Sequence, residues 1–160
     1  MTATVTRTKR SSTSDAAAKD ARVGSKVTIE EANAFLSEAF NGAQNRSTVI
    51  SMEDGHAVVR LKTGEEHLRP GNYISGPTQM SMADSVAYFV IFTKLGIVPM
   101  AVTSNLNINF LRPCIGEAVI ADGRLMKLGR TLAVIEVDIR AEGSEKTSSH
   151  AIVTYSIPAK

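Results

Sequence analysis

One long, almost wholly apolar helix, followed by strands joined by short links, predicts an α+β fold in which an antiparallel sheet wraps a central helix. Two patterns carry this. Between Pro77 and Thr93 the residues Met80, Met82, Ala83, Val86, Ala87, Phe89, Val90, Ile91 and Phe92 occupy every side of a helix, which marks it as buried on most sides. After it, Val102, Leu106, Ile108 and Phe110 alternate with Thr103, Asn105, Asn107 and Asn109, the pattern of a strand with one apolar and one polar face. The segments Ala118–Met126, Leu132–Ile139 and Ser149–Ile157 then follow at short intervals containing Gly129 and Gly143, and short links imply antiparallel neighbours.

Taken in order, the elements begin near Thr28. Thr28-Ile29-Glu30-Glu31 is a capping box, with a hydroxyl at the N-cap and a carboxylate three residues on. Ala32, Phe35, Leu36 and Ala39 then share one helical face, and Gly42 stands where a helix ends. Short strands at Thr48–Ser51 and Ala57–Leu61 flank a Glu53-Asp54-Gly55 turn. A loop runs from Thr63 to Gly76 through Gly64, Pro70 and Gly71; loops of this length in a compact domain tend to be functional or disordered. The principal helix spans Pro77 to Leu95, with proline at its first position and Gly96 and Pro99 at its end. Arg112-Pro113 and Gly116 break the strand that follows it.

The 160 residues suit one domain with a real core. The first 26 residues hold Arg7, Lys9, Arg10, Lys19, Arg22 and Lys26 against Asp15 and Asp20, so the rest is close to neutral. Rich in Ser, Thr, Ala and Lys, residues 1–26 offer little to bury and are expected to form a flexible basic extension, leaving 27–160 as the domain. A basic tail is a contact for nucleic acid or an anionic membrane in some proteins; its ordinary role is a solvated extension, and neither partner is expected here. The single cysteine, Cys114, makes no internal disulfide, which fits a reducing cytoplasm. The N-terminus has no secretory apolar core, although its acid-free first 14 residues bear a weak likeness to an organellar transit peptide. The longest apolar run, Val86 to Phe92, is far too short to span a membrane. His56, His67 and His150 have no ligand spacing to one another or to Cys114, so no metal site is expected.

Asp84 is the only charged residue between Pro77 and Thr93. A buried carboxylate is costly unless it has partners or a task. Asp84 is therefore either a structural acid bonded to neighbouring hydroxyls or a catalytic one. Gly76 stands at the mouth of the helix, where backbone N–H groups lack partners and the dipole favours negative charge. Its N–H is a candidate oxyanion donor, unless Gly-Pro merely starts the helix. Eight helical residues separate the two and span about 12 Å, beyond the reach of one reacting carbonyl. If both act, each comes from a different subunit, at a dimer interface. Thr103 lies on the polar strand face, where its hydroxyl orients Asp84 or a water, or does neither.

From about Glu66 to Tyr155 the chain resembles the PaaI-type and 4-hydroxybenzoyl-CoA thioesterases, which share the hotdog fold. Their pattern is an Asn, a His-Gly-Gly whose His stands six residues after it, then an acid nine residues after the His. Asp84 matches the acid and Gly76 the first glycine, while the segment from Thr103 to Pro113 with Gly116, and Gly129-Arg130, resemble the strand and turn that follow. The resemblance implies hydrolysis of an acyl-CoA thioester without cofactor or metal. Asp84 would be base or nucleophile, the Gly76 N–H the oxyanion donor and the Thr103 hydroxyl an assistant, in dimers or paired dimers. Coenzyme A phosphates are expected near Arg112, Lys127 and Arg130, and Asn72, Ser75 and Tyr88 near the rest of the substrate. The chain departs from the pattern at Ser75 (family His), Pro77 (second Gly) and Arg69 (Asn). These departures keep open a non-catalytic acyl-CoA-binding hotdog protein. A hotdog hydratase would need a histidine near the helix start, and none lies between His67 and His150.

Overall fold

The computed structural model describes residues 24–40 and 46–159. The predicted extension 1–26 falls almost wholly outside these residues, as does Gly42. At its margin the Lys26 N–H donates to Thr93 O at 2.8 Å and Val27 is buried, so packing begins just before the first helix. That helix, α1 (Ile29–Ala39), carries the predicted capping box: Glu31 N donates to Thr28 Oγ1 at 3.2 Å, and Thr28 N to Glu31 Oε2 at 2.9 Å.

The strands β1 (Ser47–Glu53) and β2 (His56–Lys62) form the predicted hairpin, with Gly55 at φ 70° in its turn. The stretch expected as a loop is partly ordered. A 3₁₀ turn at Glu65–His67 leads into a small hairpin of β3 (Leu68–Arg69) and β4 (Tyr73–Ile74). Its tip needs left-handed backbone, with Gly71 at φ 90° and Asn72 at φ 59°. Long-range bonds hold it: Ile74 N to Cys114 O at 2.8 Å and Ser75 N to His67 O at 2.9 Å. No local apolar period announces such a piece, which is why it reads as loop in sequence.

The central helix α2 (Gly76–Leu95) starts one residue earlier than expected, because Ser75 caps it through Thr78 N at 3.2 Å. Gly96, at φ 81°, ends it. The strands β5 (Val102–Phe110), β6 (Ala118–Leu128), β7 (Leu132–Ala141) and β8 (Ser149–Ser156) complete a six-stranded antiparallel sheet in the order β1-β2-β6-β7-β8-β5. All six strands contact α2, whose Val86, Phe89, Val90, Ile91 and Phe92 are buried against them. This is the α+β hotdog arrangement, a sheet wrapped around one helix. Among the described residues no helix is long and apolar enough to cross a membrane.

The two sheet edges differ. On β1 the Asn33 side chain of α1 acts as a strand neighbour, donating to Val49 O at 2.9 Å and accepting from Val49 N at 2.8 Å. On β5 no described element covers the outer edge. The apolar face expected there is buried only in part: Leu106 and Ile108 are half-buried, while Val102 is 58% and Phe110 51% exposed. An edge strand has a neighbour on one side only, so its ends stay open within one chain.

Candidate functional site

Asp84 sits on the third turn of α2, facing the junction of β5 and β8. There Thr103 and Tyr155 are directly opposed in register, beside a bulge at Ser104. Both hydroxyls converge on one carboxylate oxygen. Thr103 Oγ1 donates to Asp84 Oδ1, and Tyr155 OH lies 2.9 Å from the same atom and 3.0 Å from Asp84 O. Burial pushes the Tyr155 phenol well above its ordinary range, with the Asp84 charge adding to the shift, so the phenol remains a donor. The Tyr88 ring, one helical turn beyond Asp84, stacks on Tyr155 with centroids 5.8 Å apart. Among the described residues nothing bonds Asp84 Oδ2, and the carboxylate is only half-buried. Asp84 therefore has the hydroxyl partners of a structural acid and, at the same time, one oxygen free for chemistry.

Gly76 stands at the other end of this geometry. Its N–H has no hydrogen-bond acceptor among the described residues. The Phe110 ring packs on its open side, 3.3 Å from where a Cβ would lie. The glycine opens into a cavity of about 850 Å³ with mainly apolar walls, lined among others by Arg69, Tyr73, Ser75, Phe110 and Arg112. No acidic residue lines it, none occupies the first turn of α2, and neither arginine has a carboxylate within ion-pair distance among the described residues. The cleft is thus positive, through two guanidinium groups and the helix dipole.

The chain brings Asp84 to Thr103 and Gly76 to Ser75 and Arg112, but does not bring the two groups together. Asp84 does not line the cleft, and α2 runs unbroken from Gly76 past Asp84, so about 12 Å of helix lies between them. The other predicted contacts scatter. Asn72 is exposed on the β3–β4 tip and is not in the cleft wall. Tyr88 is 7% exposed and donates its hydroxyl to Pro99 O at 2.8 Å, which places it in the aromatic core. Lys127 and Arg130 are exposed near the β6–β7 turn, where Leu128 pairs with Ala133, Ala133 with Tyr155 and Tyr155 with Thr103. They mark the Asp84 end of the sheet, whereas Arg112 lies beyond Phe110 at the Gly76 end. Tyr155 was not foreseen as a site residue; its only signal in sequence is an inward strand position, and register alone aims it at Asp84.

The sequence profile of the Thioesterase superfamily matches residues 71–148, which include most of the cleft, α2 and the first three strands after it. A protein of Saccharolobus solfataricus named as an esterase is 30% identical over 109 residues, covering 68% of this chain and 76% of its own. Human acyl-coenzyme A thioesterase 13 is 23% identical over 108 residues, covering 67% and 76%. The crystal structure of a Silicibacter protein named as a thioesterase superimposes with a TM-score of 0.76 at 35% identity, over 84% of this chain and 94% of that one. The Escherichia coli PaaI protein shares the fold alone, with a TM-score of 0.67 at 21% identity over 82% and 97%.

Proposed function

Since the chain belongs to the thioesterase superfamily, we propose that it hydrolyses an acyl-CoA thioester at sites shared between two protomers. The observation that carries this is the division of labour along α2: a carboxylate with one free oxygen, and a free N–H in a positive cleft, both held rigidly and about 12 Å apart. The open β5 edge supplies the means of joining them. Two β5 strands paired antiparallel about a two-fold near Leu106 and Asn107 would set Thr103 of one protomer beside the partner's Phe110. The partner's Gly76, against that ring, then faces Asp84. The same operation carries the partner's Arg112 to the end that holds Lys127 and Arg130, a suitable track for coenzyme A phosphates. In this reading Ser75 flanks the thioester, and Asn72 and Tyr88 make no contact with it.

The thioester carbonyl accepts the partner's Gly76 N–H. Asp84 Oδ2 takes a proton from a water that attacks the carbonyl carbon, while Thr103 and Tyr155 hold Oδ1 and fix the carboxylate plane. The oxyanion formed is held by the glycine N–H. It collapses with cleavage of the C–S bond, and the proton on Asp84 passes to the departing coenzyme A sulfur. Direct attack by Asp84 on the carbonyl, followed by hydrolysis of the anhydride, uses the same atoms.

A second reading, an acyl-CoA-binding protein without turnover, is favoured by Ser75 and Arg69 standing at the family's His and Asn positions. A panel of acyl-CoAs scored for free coenzyme A separates the two. Turnover is expected, and Asp84→Ala should lower it by about 10²-fold or more, the scale of one acid–base group. Equal rates with the variant would remove Asp84 from the mechanism; saturable binding with no hydrolysis across the panel would establish the second reading.

A further inference from the structure

The wall of the Gly76 cleft contains a buried amide that the steps above do not use. Gln79 lies one turn into α2, is 4% exposed and lines the cavity. Its orientation is dictated chemically. Ile74 O can only accept, so Gln79 Nε2 faces it, at 3.1 Å. Oε1 is then left to accept from Ser149 Oγ at 2.7 Å. Ile74 is fixed on its other side by Cys114 O, and the Gln79 backbone N–H closes on Ser75 O at 3.1 Å. Ser75 O and the Gly76 N–H belong to one planar peptide unit, so these bonds aim the N–H. Ser149 adds a second constraint: it pairs in register with Phe110, whose ring bears on Gly76.

The geometry points to Gln79 as a positioning residue that sets the direction of the Gly76 N–H through Ile74 and Ser149. This rests on the reading of Gly76 as oxyanion donor. The cap of α2 does not need Gln79, since Ser75 already bonds Thr78 N and Thr78 Oγ1. A buried amide in an apolar wall is costly unless its bonds serve something. Here they fix the Ile74–Ser75 peptide, the unit immediately before the one that presents the donor.

The test is Gln79→Met, which keeps the volume and removes both bonds, in the full-length protein. With the best acyl-CoA substrate, kcat should fall about tenfold or more while KM changes by less than about threefold, as when a group acting in the transition state is misplaced. By NMR the order parameter of the Gly76 N–H should drop from the rigid range near about 0.85 towards about 0.6. Ser149→Ala removes one of the two anchors and keeps the bond to Ile74, so kcat should fall by about threefold, less than in Gln79→Met. Wild-type kcat in Gln79→Met, or a fall in kcat with Gly76 order unchanged, overturns the proposal whatever happens to the melting temperature. If the wild type hydrolyses no acyl-CoA, the hydrolase reading fails and the order parameter alone decides the role of Gln79. Should Gln79→Met not fold, Gln79→Asn, one methylene too short to span Ile74 and Ser149 together, takes the same two measurements.

Discussion

At the scale of single residues, the Asp84 carboxylate is asymmetric. Thr103 and Tyr155 both donate to Oδ1, and a carboxylate held through one oxygen keeps the lone pairs of the other. Tyr155 serves in this way only while protonated. Burial, then the Asp84 charge, raises its pKa above the ordinary 10.0, while the Thr103 hydrogen bond works in the opposite direction. The unfolded phenol ionises near about pH 10 and the folded one does not, so above that pH the unfolded state binds fewer protons. The stability Tyr155 contributes is therefore complete below pH 10 and is lost as pH rises beyond it. Chemical denaturation at pH 8 and pH 11 should show the gap between wild type and Tyr155→Phe shrinking at the higher pH. A constant gap would mean that the phenol is not shifted. Neither the tyrosine's role nor its register is visible in a linear sequence, whereas Asp84 is, because a lone charge on an apolar helix is conspicuous at any level of description.

At the scale of elements, α2 and the strands beyond it are legible because their burial follows their period. The helix that reads as apolar all round is the one enclosed by the sheet, and alternation in Val102–Phe110 marks β5. The β3–β4 hairpin is illegible for the opposite reason: its bonds go to Cys114 and His67, remote in sequence or irregular in conformation. The depth at which α2 sits is set by one residue of β6 that periodicity does not single out. A Cβ on Gly123 would lie 3.0 Å from Val90 Cγ2 and 3.1 and 3.2 Å from the two Val86 methyls, and both valines are fully buried and stiff at χ1. Gly123 thus permits a close approach of helix and sheet. Gly123→Ala should cost about 1–3 kcal/mol, the usual penalty for overpacking, as a lower urea midpoint with an unchanged m-value. An unaffected midpoint would show that the helix shifts freely, and with it the separation of Gly76 and Asp84 from the sheet.

At the scale of the whole molecule, the question is why the proposed base and oxyanion donor should be held about 12 Å apart on one rigid helix. On the proposed mechanism, a monomer with both groups on α2 would have two half-sites and no complete one. Edge protection points to the same place: Asn33 shields β1, while β5 is left with exposed Val102 and Phe110 at its ends. Unprotected edges invite pairing with another chain, and the proposed antiparallel pair about a two-fold would complete two sites at once. Subunit complementation tests this without a structure of the assembly. Asp84→Asn removes the proposed base. Gly76→Pro removes the N–H with little backbone change, since Ser75 already has the extended backbone (φ −65°, ψ 153°) that a following proline requires and proline suits the first turn of a helix; its Cβ, 3.3 Å from the half-exposed Phe110 ring, asks only a small shift of that ring. Each variant alone should lose about 10²-fold or more in kcat. Mixed and reassorted at random, half the dimers carry one lesion on each chain. In such a dimer one site has lost both groups and the other has lost neither, so about a quarter of wild-type activity should return. A site contained within one protomer predicts no recovery at all, because every chain in the mixture is damaged. Recovery, followed over the time course of subunit exchange, would therefore locate the base and the oxyanion donor on opposite chains.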